Sequence, residues 1–192
     1  MDDDSNLMSR YKNGDVRAFE LLLNRYEKPI FNFILRSVKN ASRAEELTQE
    51  TFMRVIKGSD SFKEKAKVKT WIYTIARNIC IDESRRKKHR KTESLDVAAG
   101  KNSDAPTRLE KTPNQERNAS DRLQDLEIKQ RLDLALESLN PEQRQAFVLR
   151  QFQELSFREI AEIEGVSENT IKSRMRYALQ KLKGELEDLW AT

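Results

Sequence analysis

Apolar residues early in the chain recur every three or four positions, which is the spacing of helices that bury one face. The first such stripe predicts a helix and consists of Phe19, Leu22, Leu23, Tyr26, Ile30, Phe33 and Ile34. Pro29 falls inside this stripe. Because proline lacks the N–H group that a helix needs, we expect a kink or a break at this position.

Two further helices are predicted before residue 92. The second begins at Ser42, which forms a capping box with Glu45, and it ends at Gly58. Its inward-facing residues are Leu47, Phe52, Val55 and Ile56. The third helix runs into a basic segment at residues 85–91, and it is lined by Trp71, Ile72, Ile75, Ile79 and Cys80.

The composition changes at residues 92–121. This stretch is rich in Ser, Thr, Asn, Asp and Lys, contains Pro106 and Pro113, and has no aromatic residue. Such a segment buries too little apolar surface to offset the entropy lost on ordering. We therefore predict a flexible linker.

Helical spacing returns in residues 122–192. The first helix there is expected to reach Ser138, and its apolar residues are Leu123, Leu126, Ile128, Leu132, Leu134, Leu136 and Leu139. Asn140 followed by Pro141 predicts the start of the next helix. No stretch predicts a strand, so the fold class is all-α, with two small helical domains at residues 8–91 and 122–192.

The segment Ser156–Lys183 has the spacing of a helix-turn-helix. Ser156 and Glu159 form a capping box for its first helix, and Gly165 lies at the turn, where a positive φ is expected. The helix after Ser167 has one apolar face, on which the buried stripe is expected to be Ile171, Met175, Leu179, Leu182 and Leu186. Its other face is basic, with Lys172, Arg174, Arg176, Lys181 and Lys183. This pattern favours insertion into the major groove of DNA. The alternative is a solvated basic face on an ordinary helical hairpin.

Charge is unevenly distributed along the chain, whose net charge is +4. Residues 1–91 carry 21 basic and 13 acidic residues, whereas residues 122–192 carry 11 and 13. In residues 62–91, cations alternate with aromatic residues, namely Phe62, Trp71 and Tyr73. That arrangement suits capture of a nucleic-acid strand, because charge attracts the backbone and aromatic faces stack on bases. Trp71 also continues the apolar stripe of its helix, which favours burial in the core.

The second helix has an acidic, polar surface, composed of Glu45, Glu46, Gln49 and Glu50. Acidic groups repel DNA, so this surface indicates either a protein partner with basic residues or a solvated face.

Several classes of protein are excluded by composition. One cysteine and one histidine leave no disulfide and no cluster with metal-ligand spacing. No apolar run reaches the roughly 18 residues of a membrane span, and the acidic start is wrong for a secretory signal. No P-loop, paired carboxylates or nucleophile arrangement indicates an enzyme. We expect a cytoplasmic protein without metal, cofactor or membrane insertion.

Two long motifs, in order, resemble a known family. Residues 43–58 and 69–90 read RAEELTQETFMRVIKG and KTWIYTIARNICIDESRRKKHR, and they look like regions 2.2 to 2.4 of extracytoplasmic-function sigma factors. Residues 134–183 resemble region 4 of the same family. The resemblance implies a subunit that binds core RNA polymerase and directs promoter-specific initiation, with an anti-sigma factor as a further expected partner.

The resemblance also implies three groups of site residues. Core polymerase is expected to bind Glu46, Gln49 and Glu50. The promoter −10 element is expected to be recognised and melted by Phe62, Lys67, Lys69, Trp71, Asn78, Arg85 and Arg86. The duplex −35 element is expected to be read by Ser167, Asn169, Thr170, Lys172, Ser173, Arg174, Arg176 and Tyr177.

The competing interpretation is a helix-turn-helix regulator with a sensing or dimerising N-terminal domain. It predicts a ligand pocket or a dimer helix within residues 1–91, and the basic, aromatic-bearing segment 62–91 argues against it. Binding to purified core polymerase distinguishes the two, because only a sigma factor requires it.

Overall fold

The structure is a computed structural model that describes residues 3–63, 67–94 and 131–186, with residues 88–94 described by their backbone alone. Every regular element in these ranges is a helix, as the periodicity predicts. The chain divides into two compact units. The predicted linker at 92–121 lies outside the described residues, except that the last helix of the first unit continues to Ser94.

The first unit contains four α-helices and one short 3-10 turn. The elements are α1 (Asp4–Lys12), α2 (Val16–Val38), α3 (Ala41–Gly58), the 3-10 turn Ser59–Ser61, and α4 (Val68–Ser94). Helices α2, α3 and α4 pack on one another, and α1 packs mainly on α2. The largest fully buried side chains of this unit are Leu7, Met8, Leu22, Ile30, Phe33, Ile34, Leu47, Ile72, Tyr73 and Ile79. Burying each contributes about 1.5–3 kcal/mol.

Helix α1 has too few apolar residues to form a stripe in the sequence. Leu7 and Met8 are nevertheless fully buried, and the carboxylate of Asp4 accepts hydrogen bonds from Arg25 and Tyr26 of α2. Burial and the hydrogen bond that Tyr26 donates to Asp4 raise the pKa of Tyr26 above its usual range. The first unit therefore includes a helix that begins before residue 8.

Helix α2 continues through Pro29, so the break expected there is absent. Tyr26 and Ile30, on either side of the proline, are both buried. Packing of this face holds the helix together across the one backbone hydrogen bond that proline removes.

Helix α3 starts two residues earlier than the predicted capping box. The side chain of Asn40 accepts from the Arg43 N–H at 2.8 Å, so Asn40 rather than Ser42 is the N-cap. Leu47, Phe52 and Val55 are buried as expected, but Ile56 is 38% exposed.

We use the name second unit for the described residues 131–186, which contain α5 (described over 131–138), α6 (Pro141–Gln151), α7 (Phe157–Glu164) and α8 (Glu168–Glu185). One cluster of buried residues joins α5, α6 and α8, and it comprises Ala135, Leu136, Leu139, Phe147, Met175, Ala178 and Leu182. The apolar residues of the first helix that precede residue 131 lie outside the described ranges.

Two leucines of the second unit face solvent, contrary to the stripes read from the sequence. Leu134 is 66% exposed and Leu179 is 47% exposed. With about 100° of rotation per residue, Ala178 lies within about 20° of Ile171 on the inner face of α8, whereas Leu179 lies about 80° from Ile171, at the edge of that face. Ala178 is fully buried and belongs to the core cluster of this unit.

The three helix starts predicted in the second unit are confirmed. Asn140 caps α6 through a 2.8 Å bond from the Gln143 N–H. Ser156 and Glu159 exchange capping-box hydrogen bonds at 2.8 and 3.2 Å. Ser167 caps α8 by accepting from the Thr170 N–H at 3.1 Å, and Gly165 has the expected positive φ of 66°.

Candidate functional site

One surface of interest is the outer face of α3. Glu46 and Gln49 are exposed and Glu50 is half-exposed, on the side of α3 turned away from the core. The α3 outer face, as we define it, also includes two apolar residues, so that its members are Glu46, Gln49, Glu50, Met53 and Ile56. Met53 is 51% exposed and was not singled out from the sequence, although it lies four residues after Gln49. This face combines acidic charge with exposed apolar area, which suits a protein partner.

Two arginines hold the acidic groups of this face. Arg54 pairs with Glu50 at 2.6 Å, and Arg43 pairs with Glu46. Arg43 also donates to Glu83 of α4 at 2.7 Å, and the Glu83 side chain is only 4% exposed. These two carboxylates raise the pKa of Arg43 above its usual range. The α3 outer face is thereby tied to α4.

Phe62, which directly follows the 3-10 turn, is anchored by aromatic packing. Phe62 is 6% exposed, and its ring centroid lies 4.9 Å from that of Trp71. Tyr73 is fully buried against Phe33. Phe62 and Tyr73 therefore offer no face to a base in this conformation, whereas Trp71, the third aromatic residue of this group, is half-buried.

Phe62 also contacts α1. Lys12 Nζ donates to the Phe62 carbonyl at 3.3 Å. Beside this hydrogen bond, α1 and Phe62 line a cavity of about 250 Å³, whose residues are Ser5, Met8, Ser9, Lys12 and Phe62. Lys63 and Lys67 are exposed, whereas Lys65 lies outside the described residues.

Helix α4 carries a polar stripe. Trp71, Asn78 and Arg85 are spaced by seven residues, which places them on one face at intervals of about 10 Å. Asn78 and Arg85 are exposed. Arg86 is also exposed at the edge of this stripe, and Lys69 lies on the other side of the helix axis.

Cys80 lies behind the stripe and is buried. Burial raises the pKa of its thiol to about 12, so the thiol is protonated at neutral pH.

The α8 outer face is defined by four exposed residues, Asn169, Lys172, Ser173 and Arg176. Lys172 pairs with Glu168 at 2.8 Å, which keeps it along the helix. Arg176 lies over the Tyr177 ring at 5.1 Å. The spacing of three and four residues gathers these donors on one side of α8, as groove insertion requires.

Three of the residues expected in this helix have structural partners. Arg174 pairs with Glu142 of α6 at 2.5 Å, and only 18% of its side chain is exposed. The hydroxyls of Ser167 and Thr170 lie 2.8 Å apart at the start of the helix. The structure therefore separates helix-positioning residues from those on the α8 outer face.

Two arginines of α6 that the sequence did not single out bind neighbouring parts of the second unit. Arg144 donates to the carbonyls of Leu136 and Leu139 at 2.7 and 3.1 Å, and so caps the end of α5. Arg150 donates to the Leu155 carbonyl at 2.9 Å and lies over Phe157. Only their positions could have indicated these roles in the sequence. Arg144 lies one turn after the cap residue Asn140, and Arg150 lies in the last turn of α6.

Within the described residues, no group of three or more His, Cys, Asp and Glu side chains is arranged to hold a metal ion. No helix in these ranges is both long enough and apolar enough to cross a membrane.

Comparison with known proteins places two family regions on the chain. Sigma-70 region 2 matches residues 22–90, and Sigma-70, region 4 matches residues 129–182. The RNA polymerase sigma factor CarQ of Myxococcus xanthus is 31% identical, over 94% of this chain and 97% of its own length. The ECF RNA polymerase sigma factor SigW of Bacillus subtilis is 30% identical, over 95% and 96%. The sigma factor RpoE of Bartonella quintana, solved with the anti-sigma factor NepR, is 25% identical over 88% and 96%, with a TM-score of 0.67.

Proposed function

This chain belongs to the extracytoplasmic-function sigma factors of the sigma-70 family, and we propose that its two helical units divide promoter recognition between them. The first unit binds core polymerase and opens the −10 element, and the second reads the −35 element as duplex. The polymerase supplies the chemistry and this chain the recognition, in the cytoplasm. A regulator with a sensing N-terminal domain is disfavoured, because region 2 matches the first unit.

The stripe on α4 is the observation that carries the assignment of strand opening. Trp71, Asn78 and Arg85 provide, at regular intervals, an aromatic face, an amide that can both donate and accept, and a cation. A DNA strand that lies along this stripe can stack a base on Trp71, form hydrogen bonds between a base edge and Asn78, and place a phosphate beside Arg85. Arg86 and Lys67 add positive charge near the stripe, whereas Lys69 lies on the opposite side of α4 and is not part of it. Phe62 supports Trp71 from the core.

The α8 outer face is assigned to duplex DNA. Asn169, Ser173 and Arg176 can reach base edges, and Lys172 suits a phosphate. Tyr177 is 51% exposed beside Arg176 and extends this surface. Ser167, Thr170 and Arg174 act indirectly, by fixing the start of α8 and its packing on α6.

The α3 outer face is assigned to core polymerase. Glu46, Gln49 and Glu50 supply acidic and polar groups for a basic partner surface, and exposed Met53 and Ile56 supply apolar contact. We also propose an anti-sigma factor as a partner, because the similar RpoE was solved in complex with one.

Run-off transcription on paired templates tests this division. One template is closed duplex, and the other has the same sequence with a pre-melted bubble at the −10 element. Asn78→Ala should reduce transcription from the duplex much more than from the bubble, because extruding a base costs a few kcal/mol that capture must offset. Lys172→Ala with Arg176→Ala should reduce both similarly, since the upstream duplex is identical.

Asn24→Ala is the matched control, since Asn24 is an exposed asparagine on α2. It should leave both templates unaffected. Equal loss on both templates for Asn78→Ala would contradict the role of Asn78 in strand opening.

A further inference from the structure

Gly58 is the last residue of α3, and its backbone does not require glycine. Its φ of −93° is accessible to any residue. In a helix, alanine is favoured over glycine, because glycine loses more backbone freedom on folding. The reason for glycine at this position must therefore lie in the space around it.

That space is occupied by Trp71. A Cβ atom added to Gly58 would lie 3.1 Å from Cζ2 and 3.8 Å from Cη2 of the Trp71 ring. The first distance is shorter than an ordinary carbon–carbon contact of about 3.5–4.0 Å, so the ring would have to move. By contrast, a Cβ atom added to Gly184 in α8 would meet nothing within 4 Å.

Trp71 has a second neighbour that limits how it can move. The Phe62 ring packs against it at a centroid distance of 4.9 Å, and Phe62 is itself buried. The Phe62 backbone is held at both polar groups, its N–H by the Ser59 carbonyl at 3.1 Å and its carbonyl by Lys12. A displaced Trp71 ring would therefore either push against Phe62, which is held in place, or rotate relative to α4.

We propose that Gly58 is a positioning residue for strand opening, because the absence of its side chain sets where the Trp71 ring lies. The inference rests on the proposed role of the α4 stripe. Gly58 thereby fixes the spacing between the aromatic face of Trp71 and the polar groups of Asn78 and Arg85. Gly58 contacts no DNA itself and acts through Trp71.

Gly58→Ala tests the inference on the duplex and bubble templates. Transcription from the duplex should fall roughly three- to tenfold, a loss in the lower part of the range expected for coupling between residues in contact. The bubble template should lose less, and affinity for core polymerase should stay at the wild-type value. Gly184→Ala is the matched control and should transcribe both templates normally.

Two further measurements separate positioning from general damage. In the Trp71→Phe background the crowding atoms are gone, so adding Gly58→Ala should cause no further loss. In a Trp190→Phe background, Trp71 is the single remaining tryptophan of the two in the chain. Its fluorescence change on binding the non-template −10 strand as a single-stranded oligonucleotide should be altered by Gly58→Ala.

Full activity of Gly58→Ala beside an active wild type would overturn the inference. An equal loss on both templates, or an undiminished further loss in the Trp71→Phe background, would also overturn it. Absence of any promoter-specific transcript with the wild-type chain would instead contradict the proposed function.

Discussion

Two asparagines begin helices in the same way, one in each unit. Asn40 and Asn140 each accept a 2.8 Å hydrogen bond from the N–H three residues later. Asn140 could be found from the sequence because Pro141 follows it at the first helical position. Asn40 has no such signal, and Ser42 with Glu45 offers a competing capping pattern that the backbone does not use. Local spacing alone could not choose between these two starts.

Replacing the two candidate caps of α3 should distinguish them by stability. Asn40→Ala removes the acceptor for the Arg43 N–H and should lower the free energy of unfolding by about 0.5–2 kcal/mol. Ser42→Ala, inside the helix and exposed, should change it by less than about 0.5 kcal/mol. Urea unfolding of the full chain, followed by circular dichroism, measures both. A larger loss for Ser42→Ala would contradict the observed helix start.

The pair formed by Arg43 and Glu83 could not be predicted, because the two residues lie on different helices. Arg43→Ala deprives a buried carboxylate of a charged partner and should cost about 3 kcal/mol. Arg54→Ala removes an arginine from the same helix, but its pair with Glu50 is exposed, so it should cost at most about 1 kcal/mol. The thermal midpoints of unfolding of the two variants measure this difference. If Arg43→Ala and Arg54→Ala lowered the midpoint equally, the buried pair would contribute no more to stability than the exposed pair.

At the scale of elements, helical periodicity located α2 to α4 and the helix-turn-helix, because each buries a stripe wide enough to be read. Periodicity gave wrong expectations where tertiary packing determines whether a helix continues or which residues are buried. Pro29 is tolerated because buried neighbours hold α2 together, and Ile56 faces solvent at the end of α3. On the α3 outer face, Glu46, Gln49 and Glu50 were found by their charge and polarity. Met53 was not singled out and Ile56 was expected to face the core, because the exposure of both depends on how α3 packs.

The α3 outer face predicts a charge-sensitive interaction with core polymerase. Glu46→Lys with Glu50→Lys should weaken core binding by about tenfold or more, because like charges across an interface cost several kcal/mol. Helix content should persist, since both side chains face away from the core. A titration of core polymerase with labelled protein measures the affinity.

The control for this charge reversal is Glu20→Lys with Glu27→Lys, which makes the same change in net charge at exposed positions of α2. It should bind core polymerase with nearly wild-type affinity. If both double variants lost affinity equally, the effect would belong to overall charge and not to the α3 outer face.

At the scale of the whole molecule, composition separated two helical regions joined by residues 92–121. Positive charge is concentrated in the first 91 residues, where we place strand opening. The order of the two family regions agrees with this division. Sequence alone could not identify which cationic side chains have structural partners, since Arg174 resembles Arg176 until its pairing with Glu142 is seen.

Limited proteolysis tests the proposed linker. Segments of this composition do not offset their ordering entropy, so the first cuts should fall within residues 92–121 and release two resistant helical fragments. Mass spectrometry of the early fragments locates the cuts. First cuts inside α2 or α8 would contradict a tether between two independently folded units.

Promoter-specific initiation is the property that every assignment above requires. Run-off transcription with purified bacterial core polymerase on a library of genomic fragments measures it directly. Adding the full chain should produce discrete transcripts whose start sites share upstream −35 and −10 sequences, and none of these should appear with core polymerase alone. Identical transcripts with and without the chain would contradict its action as a sigma factor.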